Sequence, residues 1–178
     1  AVVATVTPLA VLTGTTPASR CGNGSVTLQA SASSGTISWY ANATGGTALA
    51  NGGSFVTPTL SATTTYYVEA ANGTCSTTRT AVVATINPNA TITLTTPASR
   101  CGNGRVTLQA TASSGTISWF ANATGGTALA TGSSFTTPSL TATTTYYVEA
   151  SNGSCTSARS AVVATVTPLA VLTGTTPA

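Results

Sequence analysis

The sequence has no histidine and no methionine, and its only charged side chains are five arginines and two glutamates in 178 residues. Lysine and aspartate are missing as well. The charged fraction is 4%, against about 25% in an ordinary globular protein. Without His, Asp or Lys, neither a Ser/His/Asp nor a Cys/His arrangement can be assembled, so no catalytic residues are expected. The two glutamates, Glu69 and Glu149, occupy equivalent places in an internal repeat and are too far apart for a glycosidase carboxylate pair. Calcium wants clusters of carboxylates, and none exists. A net charge of +3 is too dilute for a nucleic-acid footprint. No apolar run approaches the ~18–20 residues of a membrane span, so no membrane insertion is expected. No cofactor is expected either.

What is present is repetition. AVVATVTP at Ala1 returns as AVVATINP at Ala81 and as AVVATVTP at Ala161. Residues 1–80 and 81–160 agree at 60 of 80 positions, and residues 161–178 repeat 1–18 without a change. The same 18 residues match 81–98 at only 12 positions, so odd and even repeats differ slightly and a pair of repeats is the larger unit. A period of 80 is too long for a solenoid turn and long enough for a small domain with its own core. The chain starts and stops in mid-pattern, as a window in a longer array would.

Thr and Val dominate, Gly/Asn/Pro clusters punctuate, and no stretch has helical periodicity, which predicts an all-β chain of short antiparallel strands. An edge strand is expected from Leu9 to about Thr16, ending at Pro17. Val26, Leu28 and Ala30 alternate with Thr27 and Gln29 to give a second strand with one buried face. Ile37 and Trp39 face inward on a third, with Tyr40 outward. A short strand surrounds Phe55 and closes at Pro58. In TTTYYVEA, residues 63–70, Tyr66, Val68 and Ala70 share one face. Asn72-Gly73 is a hairpin signal, and the returning strand runs from Arg79 to Thr85. The expected core is Trp39, Tyr66 and Val68, with Trp119, Tyr146 and Val148 at the matched positions. The domains are then residues 9–88 and 89–168, flanked by the last strand of a preceding repeat (1–8) and the first of a following one (169–178).

An inward Trp on the third strand, and a Tyr two residues before an inward apolar residue on the sixth, resemble the pattern of immunoglobulin sandwiches. Val68 stands where antibody domains place an intersheet Cys. WYANATGGTALA from Trp39, SFVTPTLSA from Ser54 and TTTYYVEAANGTC from Thr63 resemble the Ig-like repeats strung through very large secreted surface proteins of Bacteroidetes. That family includes gliding-motility adhesins and the stalks of secreted hydrolases. The resemblance spans both repeats and implies a tandem, rod-like array of sandwiches at the cell surface.

Each repeat has one Cys before its second strand (Cys21, Cys101) and one just after the hairpin turn (Cys75, Cys155). Four matched cysteines in so small a chain point to disulfides and an oxidising compartment. A metal site is not expected, since there is no His and no CxxC pair. In an immunoglobulin sandwich the second and sixth strands run in the same direction. That places Cys21 and Cys75 at opposite poles, roughly 20 Å apart, whereas a disulfide needs Cα atoms within about 7 Å. Head-to-tail stacking would instead bring Cys21 to Cys155, leaving Cys75 and Cys101 for neighbouring repeats. That pairing is preferred over Cys21 with Cys75 and Cys101 with Cys155, which stays open as the alternative. The connection Ile86-Asn87-Pro88-Asn89 has no Gly/Ser linker, and a short Pro-containing link restricts hinging. Each repeat should advance roughly 35–40 Å.

Six Asn-x-Ser/Thr sequons, at Asn23, Asn42, Asn72, Asn89, Asn122 and Asn152, are better explained by turn chemistry than by glycosylation. Tyr40, Phe120, Tyr67 and Tyr147 are outward aromatics for which cross-strand packing is favoured over sugar stacking. The leading expectation is a structural repeat, the shaft of an extracellular adhesin or filament. Its partners would be neighbouring copies end to end, with surface glycans or other filaments as further candidates. The alternatives are a carbohydrate-binding or spacer module of a secreted hydrolase, and a filament subunit that exchanges strands.

Overall fold

A computed structural model describes residues 8–170 of the chain. The flanking strands expected at 1–8 and 169–178 fall almost wholly outside the described residues. The chain divides into two compact units, residues 1–88 and 89–178, and every regular element among the described residues is a β-strand. The first unit contains β1 (Leu12–Thr16), β2 (Ala18–Cys21), β3 (Thr27–Ala32), β4 (Thr36–Tyr40), β5 (Ala50–Asn51), β6 (Ser54–Val56), β7 (Thr64–Asn72), β8 (Cys75–Ser76) and β9 (Thr80–Asn87). The second contains β10 (Ile92–Thr96), β11 (Ala98–Cys101), β12 (Thr107–Ala112), β13 (Thr116–Phe120), β14 (Ala130–Thr131), β15 (Ser134–Thr136), β16 (Thr144–Ser151) and β17 (Ser160–Thr167).

Two sheets face each other in each unit. In the first they are β1-β3-β6 and β2-β9-β7-β4-β5, with the short β8 added to β7. In the second they are β10-β12-β15 and β11-β17-β16-β13-β14. Alternation along the strands sets which face is buried: in β7, Tyr66, Val68 and Ala70 point into the core while Thr65, Tyr67 and Glu69 do not. Trp39 and Val68 are fully buried, as are Trp119 and Val148, and Tyr66 and Tyr146 are buried beside them. The Trp39 ring stacks on Phe55 at 5.6 Å, and Phe55 meets Tyr66 edge-on at 5.0 Å. The buried indole is not left unsatisfied, because its Nε1–H donates to the Gly52 carbonyl at 2.9 Å. Leu28, from the opposite sheet, fills the remaining space with no exposure.

Several elements differ from the sequence expectation. The first strand begins at Leu12 and not Leu9 and ends at Thr16, before Pro17, but pairing resumes beyond the proline. Pro17 has no N–H to continue the β1 ladder, and there the chain crosses to the other sheet. It resumes as β2, which runs parallel to β9 with Ala18 opposite Ala84 and Cys21 opposite Asn87. β7 extends to Asn72, so the hairpin turn is Gly73-Thr74, with Gly73 at φ +64°. Only glycine adopts that conformation cheaply. The returning strand is displaced to Thr80–Asn87. Its C-terminal end is held by Thr63, whose Oγ1 accepts the Ile86 N–H at 3.0 Å.

Candidate functional site

The chemistry-bearing residues are few, and the sheets sort them into two groups: cysteines at the ends of each sandwich and an arginine cluster on one outer face. β7 and β9 pair with Val68 opposite Thr80, so Asn72 lies level with position 76 of that strand. Cys75 sits opposite Asn72 in the hairpin, and Cys21 lies level with Asn87. The two cysteines of one unit are therefore eleven strand positions apart, about 36 Å at ~3.3 Å per residue. This is farther than the sequence-based figure of about 20 Å, because β2 carries Cys21 to the last residue of β9. The second unit repeats the register, with Cys101 opposite Thr167 and Val148 opposite Ser160. The hairpin end is also the end where the chain enters, since the Asn72 Nδ2–H donates to the Pro8 carbonyl at 3.1 Å.

The four cysteines are not in one state. Cys21 and Cys155 are disulfide-bonded, whereas Cys75 and Cys101 are free and exposed. Each unit thus has one bonded and one free cysteine, at opposite ends of its own sandwich. Cys155 is buried and its N–H donates to Asn152 Oδ1 at 3.0 Å.

The arginine cluster sits outside β4 and β7. The Arg79 Nε–H donates to Glu69 Oε2 at 3.1 Å, and Nη1 reaches the carbonyls of Asn42 and Gly45 at 2.8 and 2.6 Å. Its guanidinium carbon stands 3.3 Å over the Tyr40 ring, and the Tyr40 hydroxyl donates to Glu69 Oε1 at 2.8 Å. Arg159 repeats this arrangement over Phe120, at 3.4 Å, with Glu149, Asn122 and Gly125. A planar guanidinium suits this task because it can stack and donate in several directions at once. Tyr40 and Phe120, the outward aromatics of the sequence pattern, are therefore capped by arginine and by the loop it holds. Tyr67 and Tyr147 lie beside them, cross-strand from Tyr40 and Phe120. With both glutamates engaged in this way, the arginines that remain, Arg20, Arg100 and Arg105, all lie near the Cys21 and Cys101 ends. Arg20 Nη1 donates to the Ser25 carbonyl at 3.1 Å, and Arg100 to the Arg105 carbonyl at 3.2 Å.

Burial pushes the Tyr66 and Tyr146 phenols above their ordinary pKa, as expected for a group whose charged form would lose its solvent. Among the described residues no group of three or more His, Cys, Asp or Glu could hold a metal ion.

Comparison with known proteins places this architecture. The chain is similar to a chain in a crystal structure of mouse coronavirus receptor-binding domain complexed with its murine receptor, at 14% identity and a TM-score of 0.53, covering 89% of this chain and 100% of that one. It is also similar to a marsupial T cell receptor, at 13% identity and a TM-score of 0.50, covering 92% of this chain and 74% of that one. Likeness at this level shows the fold alone, an immunoglobulin-like sandwich. Comparison with curated proteins gives no match. A family model described as "Ig-like domain CHU_C associated" matches residues 8–88 and again 89–168. Tandem Ig-like domains are consistent with a structural or adhesion-type module and are generally non-catalytic, and a disulfide in such a domain suggests an extracellular or surface protein. The chain belongs to the CHU_C-associated Ig-like domains, a Bacteroidetes-type family, and carries two of them in tandem.

Proposed function

We propose that the chain is a load-bearing structural repeat, part of the shaft of a secreted surface adhesin or filament, and that a Cys21–Cys155 disulfide staples consecutive repeats. One observation carries this reading: Cys21 and Cys155 are bonded while Cys75 and Cys101, their in-repeat alternatives, are free. The distance along each sandwich supports it, since about 36 Å within a repeat is five times what a disulfide spans. A shaft needs no catalytic group, and the composition lacks the histidine, aspartate and lysine of the common catalytic arrangements. The scarcity of charge suits close packing of copies, because little long-range repulsion opposes it.

The staple closes a loop of 134 residues, counted from Cys21 to Cys155. On the chain-entropy argument such a closure stabilises the folded pair by about 5 kcal/mol. Non-reducing peptide mapping tests the pairing: a linked Cys21–Cys155 peptide is expected, and a linked Cys21–Cys75 peptide would overturn it. The carbohydrate-module reading draws no support from Tyr40 or Phe120, whose rings are already covered by arginine. The strand-exchange reading depends on residues 1–7 and 171–178, outside those described.

A further inference from the structure

We propose that Cys101 of one copy and Cys75 of a second copy of this chain form a head-to-tail disulfide, at an apolar junction seated by Leu9; the proposal rests on the structural-repeat reading above. Three observations converge on it. The first is repeat equivalence. Cys101 stands at the end of β11 opposite Thr167, as Cys21 stands at the end of β2 opposite Asn87. Cys75 stands just past the hairpin turn, as does Cys155. At both kinds of position the counterpart cysteine is already disulfide-bonded, while Cys75 and Cys101 present exposed thiols. Cys101 thus repeats the strand setting of bonded Cys21, and Cys75 repeats the sequence position of bonded Cys155, although it is exposed on β8 where Cys155 is buried.

The second observation is what lies beside Cys101. The side chain of Leu169 crosses Gly102, with its Cδ1 3.2 Å from where a Cβ would stand, and is otherwise 67% exposed, an apolar contact left open on its outer side. Any side chain at Gly102, which is at φ +69°, would contest that seat. The third is what lies at the other end. Leu9 and Val11 are 59% and 53% exposed, although such side chains ordinarily seek burial. Leu9 is the same residue as Leu169 in the same context, since residues 161–178 repeat 1–18. The matched residues of the second repeat are Asn89 and Thr91, so the apolar character is confined to the odd type of repeat entrance. The segment beginning at Leu9 of a second copy offers the same side chain for the Leu169 seat, against a competitor tethered to β17, and taking it would bring its own repeat to Cys101.

Bond formation is an oxidation. The thiols of Cys101 and Cys75 lose two protons and two electrons as the S–S bond forms. A small-molecule disulfide such as oxidised glutathione accepts them and leaves as two thiols, through a mixed disulfide on one cysteine that the other thiolate displaces.

The test mixes isotopically labelled and unlabelled chains and oxidises them with glutathione disulfide, followed by non-reducing electrophoresis and peptide mapping. A ladder of multimers joined by mixed-label Cys75–Cys101 peptides is expected. Leu9→Asn, which installs the residue of the matched position and so suits the fold, should slow ladder growth roughly fivefold, as expected when a partly buried leucine contact is lost. Leu169→Asn weakens the competitor for the seat and should speed it. Predominantly Cys75–Cys75 and Cys101–Cys101 dimers, glutathionylated monomers alone, or two substitutions without opposite effects would overturn the inference. The same map keeps the two proposals apart. A Cys21–Cys155 peptide with no Cys75–Cys101 peptide sinks only this inference, whereas a Cys21–Cys75 peptide sinks the structural-repeat staple.

Discussion

Replacing Arg79 by Met removes the guanidinium and keeps most of the side-chain volume. The substitution deletes two hydrogen bonds to the Asn42 and Gly45 carbonyls, the Glu69 ion pair and the contact with the Tyr40 ring. Glu69 is left with the Tyr40 hydroxyl. Breaking a fully buried pair costs about 3–5 kcal/mol, and an exposed pair is worth about 0–1 kcal/mol. The partners here are 11% and 17% exposed, which places the loss between those limits, at about 2–3 kcal/mol. For a domain of this size each kcal/mol moves Tm by roughly 4–8 °C, so calorimetry should show the first repeat melting about 8–24 °C earlier. Adding Glu69→Gln should recover about 1 kcal/mol, because part of the loss is the stranded carboxylate. The second repeat supplies a natural control, since Phe120 has no hydroxyl to offer Glu149. Tyr40→Phe should therefore be tolerated at a cost of about 1–1.5 kcal/mol. A destabilisation by Arg79→Met below about 0.5 kcal/mol, the range of ordinary surface changes, or no coupling to Glu69, would refute the reasoning.

Two further outcomes follow from buried polar groups. Thr57 is 3% exposed, its Oγ1 accepts the Val26 N–H at 3.1 Å and its hydroxyl donates to the Pro58 carbonyl at 2.9 Å. Thr57→Val keeps the shape but strands that N–H, so denaturant unfolding should show a loss of about 1–3 kcal/mol. Tyr66 and Tyr146 have folded pKa values above the ordinary phenol range. Their contribution to stability should be complete below about pH 10, where the unfolded phenols begin to ionise, and should be lost as pH rises through the folded values. With no histidine in the chain, Tm should show no histidine-type step near pH 6–7, and the double variant Tyr66→Phe/Tyr146→Phe should flatten the alkaline limb.

The repeat, the all-β class and the inward Trp were legible because each rests on local pattern: an 80-residue period, period-2 alternation and turn residues. β2 was not. Ala18-Ser19-Arg20-Cys21 follows a proline and shows no alternation, and its partner is Ala84, more than sixty residues away. Parallel pairing at that separation leaves no local signal, and missing it shortened the distance expected between Cys21 and Cys75. The pairing of Arg79 with Glu69 could be read from adjoining strands. The rest of the clamp could not, because its acceptors are the backbone carbonyls of Asn42 and Gly45, to which the side-chain pattern is blind. The cysteines were legible in placement, at opposite ends of each sandwich, and the preferred pairing of Cys21 with Cys155 agrees with which two are bonded.

Stretching a single chain from its two ends tests the central claim most directly. A Cys21–Cys155 bond carries the force past the 133 residues between the two cysteines. Under oxidising conditions neither sandwich core can then extend, and about 470 Å of contour, at ~3.5 Å per residue, stays hidden until a reductant is added. The account predicts that all of it is released through one reduction event, followed by unfolding of both repeats. Extension of both repeats without reductant would contradict it. So would two separate locked lengths of about 190 Å each, the signature of bonds within the repeats.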